Sequence, residues 1–252
     1  RVQQQALIFA DVLHIPFFLL AGVTLLGCLL LGTAGGGAPP APAARFSWTG
    51  MVDGFRFPPA AWWLIGLMAL HGTADAVVFA WAPKILGNTH SFPAQLIRPG
   101  YAVAVASLCY MLSRAALTLL PERFGARAML TLPGLLGGGL LTAGLLTHHQ
   151  GLAAAGFIAG AGLWSLEYPA FLATLSGVER HRYAAAVSVS LLIGGPLSLA
   201  LSFAVGCIGD AFGPARAWTG LLLPAALFLG IGLAGGLWLL LFRRPPNTPA
   251  AS

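Results

Sequence analysis

Long apolar runs separated by short polar or Gly/Pro-rich connectors dominate this chain, and none of them alternates with the period of two that marks a half-buried strand. Seven runs are long enough to cross a hydrocarbon core, which takes about 20 helical residues: residues 6–32, 60–82, 99–120, 128–147, 151–177, 184–209 and 215–242. Each is apolar on every side, as lipid-embedded helices are and ~10-residue barrel strands are not. The expected fold class is all-α integral membrane, with about seven transmembrane helices. The one long connector, 33–58, contains GGGAPPAPAA, which buries no core and predicts a flexible linker and a domain boundary. The later connectors are short, so neighbouring helices are expected to run antiparallel and to form one six-helix bundle over 59–244, followed by a tail at 245–252.

Composition supports this class. Hydrophobic residues make up 58% and charged residues 8%, and mean hydropathy is +0.83, whereas soluble domains carry charge on roughly a quarter of their residues. The net charge of +6 comes from scattered arginines and the single lysine Lys84, with no basic block, so a nucleic-acid partner is not expected. Cys28, Cys109 and Cys207 each lie inside an apolar run and imply neither a disulfide framework nor a metal site. No cofactor is implied. The first run holds Asp11 and His14 and is too long and polar for a signal peptide, and a chain that opens on Arg1 is expected to be a fragment.

Charge also orients the expected topology. With alternate connectors on opposite faces, nine basic residues (Arg45, Arg56, Arg114, Arg123, Arg127, Arg180, Arg182, Arg243, Arg244) fall on one side and four (Arg1, Lys84, Arg98, Arg216) on the other. The positive-inside rule then puts the linker and the C-terminus in the cytoplasm of a plasma, or bacterial inner, membrane.

Ionisable groups inside a span cost ~3 kcal/mol on insertion scales and are functional candidates by default. His71 and Asp75 are four residues apart and share a helix face; they predict a proton or cation coupling pair, with a hydrated structural Asp75 as the alternative. Glu167, in Trp164-Ser165-Leu166-Glu167-Tyr168-Pro169, either meets a substrate or coupling cation beside Trp164 or neutralises Arg114. Asp11 and His14 repeat the acid-imidazole theme more weakly. Trp62, Trp63, Trp81 and Trp218 fit an aromatic belt, and His148 and His149 a hydrated turn. Small-residue spacings at Gly156 and Gly160, Gly137 to Gly139, and Gly232 and Gly236 suit close helix packing. Pro196, after Gly195, is expected to kink its helix. No nucleophile elbow, zinc-protease motif, phosphate loop or dinucleotide turn is present, so no enzymatic role is expected.

The stretch Leu120-Pro121-Glu122-Arg123-Phe124-Gly125-Ala126-Arg127, with Arg114 before it, resembles the cytoplasmic loop signature of the major facilitator superfamily of secondary transporters. Gly194-Gly195-Pro196 followed by Gly209-Asp210-Ala211-Phe212-Gly213 is similar to that superfamily's Gly-Pro helix and the turn that closes it, and Trp164 to Leu172 looks like the fifth helix of one of its halves. Thr118, Glu122, Ala126 and Ala211 depart from the pattern. The resemblance implies that 6–32 is the last helix of a missing N-terminal half and 59–244 the C-terminal half. It also implies that Arg114, Glu122, Arg123, Gly125 and Arg127 form a conformational loop motif. The expected function is secondary transport of a small solute by alternating access, with protons as one candidate coupling ion. A seven-helix receptor-like or structural membrane protein is the alternative.

Overall fold

A computed structural model of the chain describes residues 56–119 and 125–242. The chain divides into two units, Arg1–Ser47 and Trp48–Ser252. The predicted first span, nearly all of the Gly/Pro linker, the C-terminal tail, and Asp11, His14, Glu122 and Arg123 lie outside the described residues.

Every regular element among the described residues is helical: α1 Pro59–Leu86, α2 Pro99–Leu119, α3 Ala126–Leu146, α4 Gln150–Trp164, α5 Glu167–Val178, α6 Tyr183–Phe212, a 3-10 segment Pro214–Leu221, and α7 Leu222–Leu241. Four stretches are long and apolar enough to cross a membrane by length and composition: Pro59–Leu86, Ala128–Leu146, Tyr183–Phe212 and Pro214–Leu241. Outward-facing positions on these helices and on α2 are strongly apolar. On α6, Leu191, Leu192, Leu199 and Phe203 are 64–76% exposed, and α2 turns Tyr101, Leu108, Met111 and Leu112 outward, a density of exposed apolar side chains that soluble monomers avoid.

The predicted span 151–177 needs correction, because it is two helices. α4 ends at Trp164 and α5 begins at Glu167, with a tightened turn in which Leu166 N–H donates to the Leu163 carbonyl at 3.1 Å. Pro169 supplies the reason. It has no N–H for the carbonyl four residues back, that of Ser165, so the ladder loses a rung where the helix breaks. Pro196, where a kink is expected, acts differently from Pro169: α6 continues through it as one helix, and the nearby Gly194 carbonyl accepts from Thr73 Oγ1 of α1 at 3.1 Å and Ser198 Oγ at 2.8 Å.

α1 is the central helix, in contact with α2, α4, α5, α6 and α7, while α3 packs between α4 and α7. Connectors gather at two ends. At one end Gln150 Nε2 donates to the carbonyls of Leu86 and Ile97, Asn88 donates to the Pro214 carbonyl, and His148 lies edge-on to Trp218. At the other, Trp238 Nε1 donates to the Ala60 carbonyl at 3.0 Å and the Arg182 guanidinium lies over Phe57. The helices therefore alternate up and down.

Small residues bring the backbones together between α3 and α4. A Cβ added at Gly137 would fall 2.9 Å from the Gly160 carbonyl oxygen, and one at Gly160 would fall 2.8 Å from that of Gly137. In lipid, where apolar surface gains nothing by leaving the solvent, such close contact is a main source of helix association. Gly139, on the same helix, has open space beside it. Gly137→Ala is expected to destabilise the protein by about 1–3 kcal/mol through overpacking, whereas Gly139→Ala leaves stability unchanged or raises it. Thermal unfolding in detergent checks the contrast.

Candidate functional site

The core is not continuous. One apolar cluster runs from Ala74 and Val78 of α1 through Phe157 and Trp164 to Phe228; the other gathers Leu64, Met68, Phe171, Leu175 and Trp238. Between them, at the middle of α1, lies a layer of polar side chains. His71 stands twelve residues from the start of α1, about 18 Å along a helix rising 1.5 Å per residue, so the layer sits at mid-height.

The helix break builds half of this layer. Ending α4 at Trp164 makes Glu167 the first residue of α5, where free N–H groups and the helix dipole favour a carboxyl group. Glu167 Oε2 lies 3.0 Å from His71 Nδ1, and the two side chains are 0% and 1% exposed. Tyr168, Phe171 and Phe228 surround the imidazole, with ring centroids 5.8, 6.3 and 5.5 Å away. Glu167 Oε1 and His71 Nε2 are buried without a hydrogen-bond partner. Gly134 of α3 closes the space beside Oε1, since a Cβ there would fall 2.6 Å from that oxygen.

The carbonyl that Pro169 leaves free builds the other half. Ser165 O accepts from Arg114 Nε at 3.4 Å. Arg114 also donates from Nη2 to Tyr110 Oη, one helical turn earlier on α2. Tyr110 donates in turn to Asp75 Oδ2 at 2.7 Å, and Trp164 Nε1 donates to Asp75 Oδ1 at 2.9 Å. Because Trp164 and Ser165 are neighbours, the hydrogen bonds form a closed ring through α1, α2 and the α4–α5 break. The ring balances its own charge, Arg114 against Asp75. Trp164 is fixed from the other side by stacking on Phe228, centroids 4.3 Å apart and planes 13° apart.

The structure thus brings His71, Asp75, Arg114, Trp164 and Glu167 into one layer but pairs them differently from expectation. His71 bonds to Glu167 rather than to Asp75, and Arg114 bonds to Tyr110 and the Ser165 carbonyl rather than to Glu167. The i, i+4 spacing does place His71 and Asp75 on adjacent turns, yet each side chain finds a nearer partner on another helix. Tyr110 was missed by sequence reasoning; its signal is a phenol four residues before Arg114, inside the same apolar run.

Of the expected loop motif, Gly125 is exposed and precedes α3 in extended conformation, φ −56° and ψ 152°. Arg127 falls in the first turn of α3. Gly195 is exposed and has open space where a Cβ would be. Among the belt candidates, Trp62 is exposed, while Trp63, Trp81 and Trp218 pack inward: Trp63 donates to the Ala234 carbonyl, Trp81 to Ser202, and Trp218 is buried. No group of three or more His, Cys, Asp or Glu side chains suited to a metal ion occurs among the described residues. No family model, curated protein or solved structure matches the chain.

Removing the phenol should break the ring at its middle. Tyr110→Phe is expected to destabilise the protein by about 1–3 kcal/mol, because the half-buried Asp75 and Arg114 lose their common partner. Tyr110→Phe and Asp75→Asn together are expected to cost less than the sum of the two alone, because both act on the same ring, and thermal unfolding of both single variants and the double variant measures this.

Proposed function

We propose that this chain is part of a secondary active transporter that moves a small solute across a membrane by alternating access. The single observation that carries the reading is the polar layer at mid-height of an apolar helical bundle, holding His71, Asp75, Arg114 and Glu167 where an idle charge costs several kcal/mol. Transporter sites of this kind lie near the bilayer midplane, at interrupted helices whose ends and free carbonyls face the solute or the coupling ion. The α4–α5 break, with Glu167 at the new N-terminus and the Ser165 carbonyl released by Pro169, fits that description. The resemblance of Leu120 to Arg127 and of Gly194 to Pro196 to major facilitator motifs points the same way.

On this reading α1 to α7 form the six-span half of a two-half carrier, counting α4 with α5 as one interrupted span. The run 6–32 belongs to the other half. The outward apolar faces of α2 and α6 meet lipid or that other half. The distribution of arginines favours a plasma membrane location with the C-terminus inside. Nothing covalent happens to the solute, so the protein acts as a carrier and not as an enzyme.

The test is uptake of a panel of labelled small solutes by liposomes holding the full-length protein. At least one solute is expected to enter above the empty-liposome level, and Arg114→Ala to lower that uptake tenfold or more. A protein that binds a solute stoichiometrically yet moves none of the panel would be a receptor instead.

A further inference from the structure

We propose that Glu167 holds one exchangeable proton as a carboxylic acid, donated through Oε2 to Nδ1 of a neutral His71, and that the closed, dry pair is the proton-loaded state of the protein. The inference deepens the transporter reading and rests on it for its meaning: the proton is the coupling ion, and Asp75 is not its carrier.

Geometry carries the argument. The pair meets through one contact of 3.0 Å, which holds one hydrogen. If the pair carried only the imidazole's own N–H, Nδ1 would donate to a carboxylate, and a net negative charge would sit among Tyr168, Phe171 and Phe228 with Oε1 unpartnered. The α5 N-terminus and the Gly134 backbone offset only part of that charge, and a carboxylate without a counter-charge in such surroundings remains penalised. With one more proton the pair is neutral, and what stays unpartnered is a carbonyl oxygen and one imidazole N–H. A neutral acid beside a neutral imidazole also avoids the charge separation of an imidazolium-carboxylate pair, which a dry site disfavours.

The surrounding groups leave this assignment intact. Asp75, one turn away on α1, is bonded to Tyr110 and Trp164. From α2, Arg114 bonds to Tyr110 and the Ser165 carbonyl and is balanced by Asp75. Tyr168 on α5 brings a phenol ring 5.8 Å from the imidazole, and Tyr183 stands at the start of α6. α3 and α7 present Gly134 and Phe228, neither of which titrates.

Release follows from the same geometry. The proton can leave Glu167 only when water reaches the carboxyl group to take it and to solvate the carboxylate left behind. Water enters only if α5 moves away from α1 and α3, and the Ser165–Leu166 break lies immediately before Glu167. Proton loss and opening are therefore one event, which is what coupling requires.

The test is difference infrared spectroscopy on the full-length protein in lipid vesicles at neutral pH, with glutamate carrying 13C in its carboxyl group, and no solute is needed. The expected result is a C=O band of a protonated carboxylic acid that moves with the glutamate label, exchanges slowly in D2O, is lost in Glu167→Gln and persists in Asp75→Asn. Absence of that band from the folded wild-type protein, or a band that ignores the glutamate label, overturns the proposal without any variant. A label-sensitive band that survives Glu167→Gln overturns it as well. The outcome separates from that of the transport reading: solute uptake without the band removes the proton site alone, and the band without uptake of any solute removes the transporter reading and the coupling role with it, leaving the protonated pair.

Discussion

A charge inside an apolar bundle must be matched where it stands, because neither lipid nor hydrocarbon side chains can solvate it. That constraint shapes the middle of this protein. Arg114 and Asp75 answer one another through Tyr110, and Trp164 and the Ser165 carbonyl take up hydrogen-bonding capacity that would otherwise be stranded. His71 and Glu167 answer one another directly. Both solutions depend on the same covalent fact, the absent N–H of Pro169, which frees the Ser165 carbonyl and places Glu167 at a helix N-terminus. The two apolar clusters above and below exclude water from the layer, and the glycine contacts between α3 and α4 let the helices close over it.

The helical class and four of the long elements could be read from the chain, because an apolar run of more than about 20 residues has few other stable forms. The run 151–177 reads as one helix for the same reason: hydropathy averaged over a window registers how apolar a stretch is and passes over a single missing donor. Pro169 was visible, and asking where the carbonyl four residues before it goes would have located the break. Pro196 shows why proline alone does not settle the matter. There α6 continues, with side-chain donors from Thr73 and Ser198 gathered at the Gly194 carbonyl.

The membership of the polar layer was more legible than its pairing. His71, Asp75, Arg114, Trp164 and Glu167 were each recognisable as polar groups or large rings within apolar runs. Spacing along one helix suggested His71 with Asp75, and matching charge suggested Glu167 with Arg114. Which partner a side chain reaches depends on how helices cross, and that is set by contacts such as Gly137 against Gly160, which carry no signal about distant pairing. Tyr110 escaped notice because a phenol in a membrane helix is as readily an interfacial residue as a bridge between charges.

The central claim is that His71 and Glu167 act as one unit inside the bundle. A double-mutant cycle with His71→Gln and Glu167→Gln, read by thermal unfolding of the full-length protein in lipid, tests it most directly. Direct partners are expected to show a coupling of about 1–3 kcal/mol, the double variant being little less stable than the worse single one. Strictly additive losses would mean that the two side chains do not meet, and the account of the polar layer would fail.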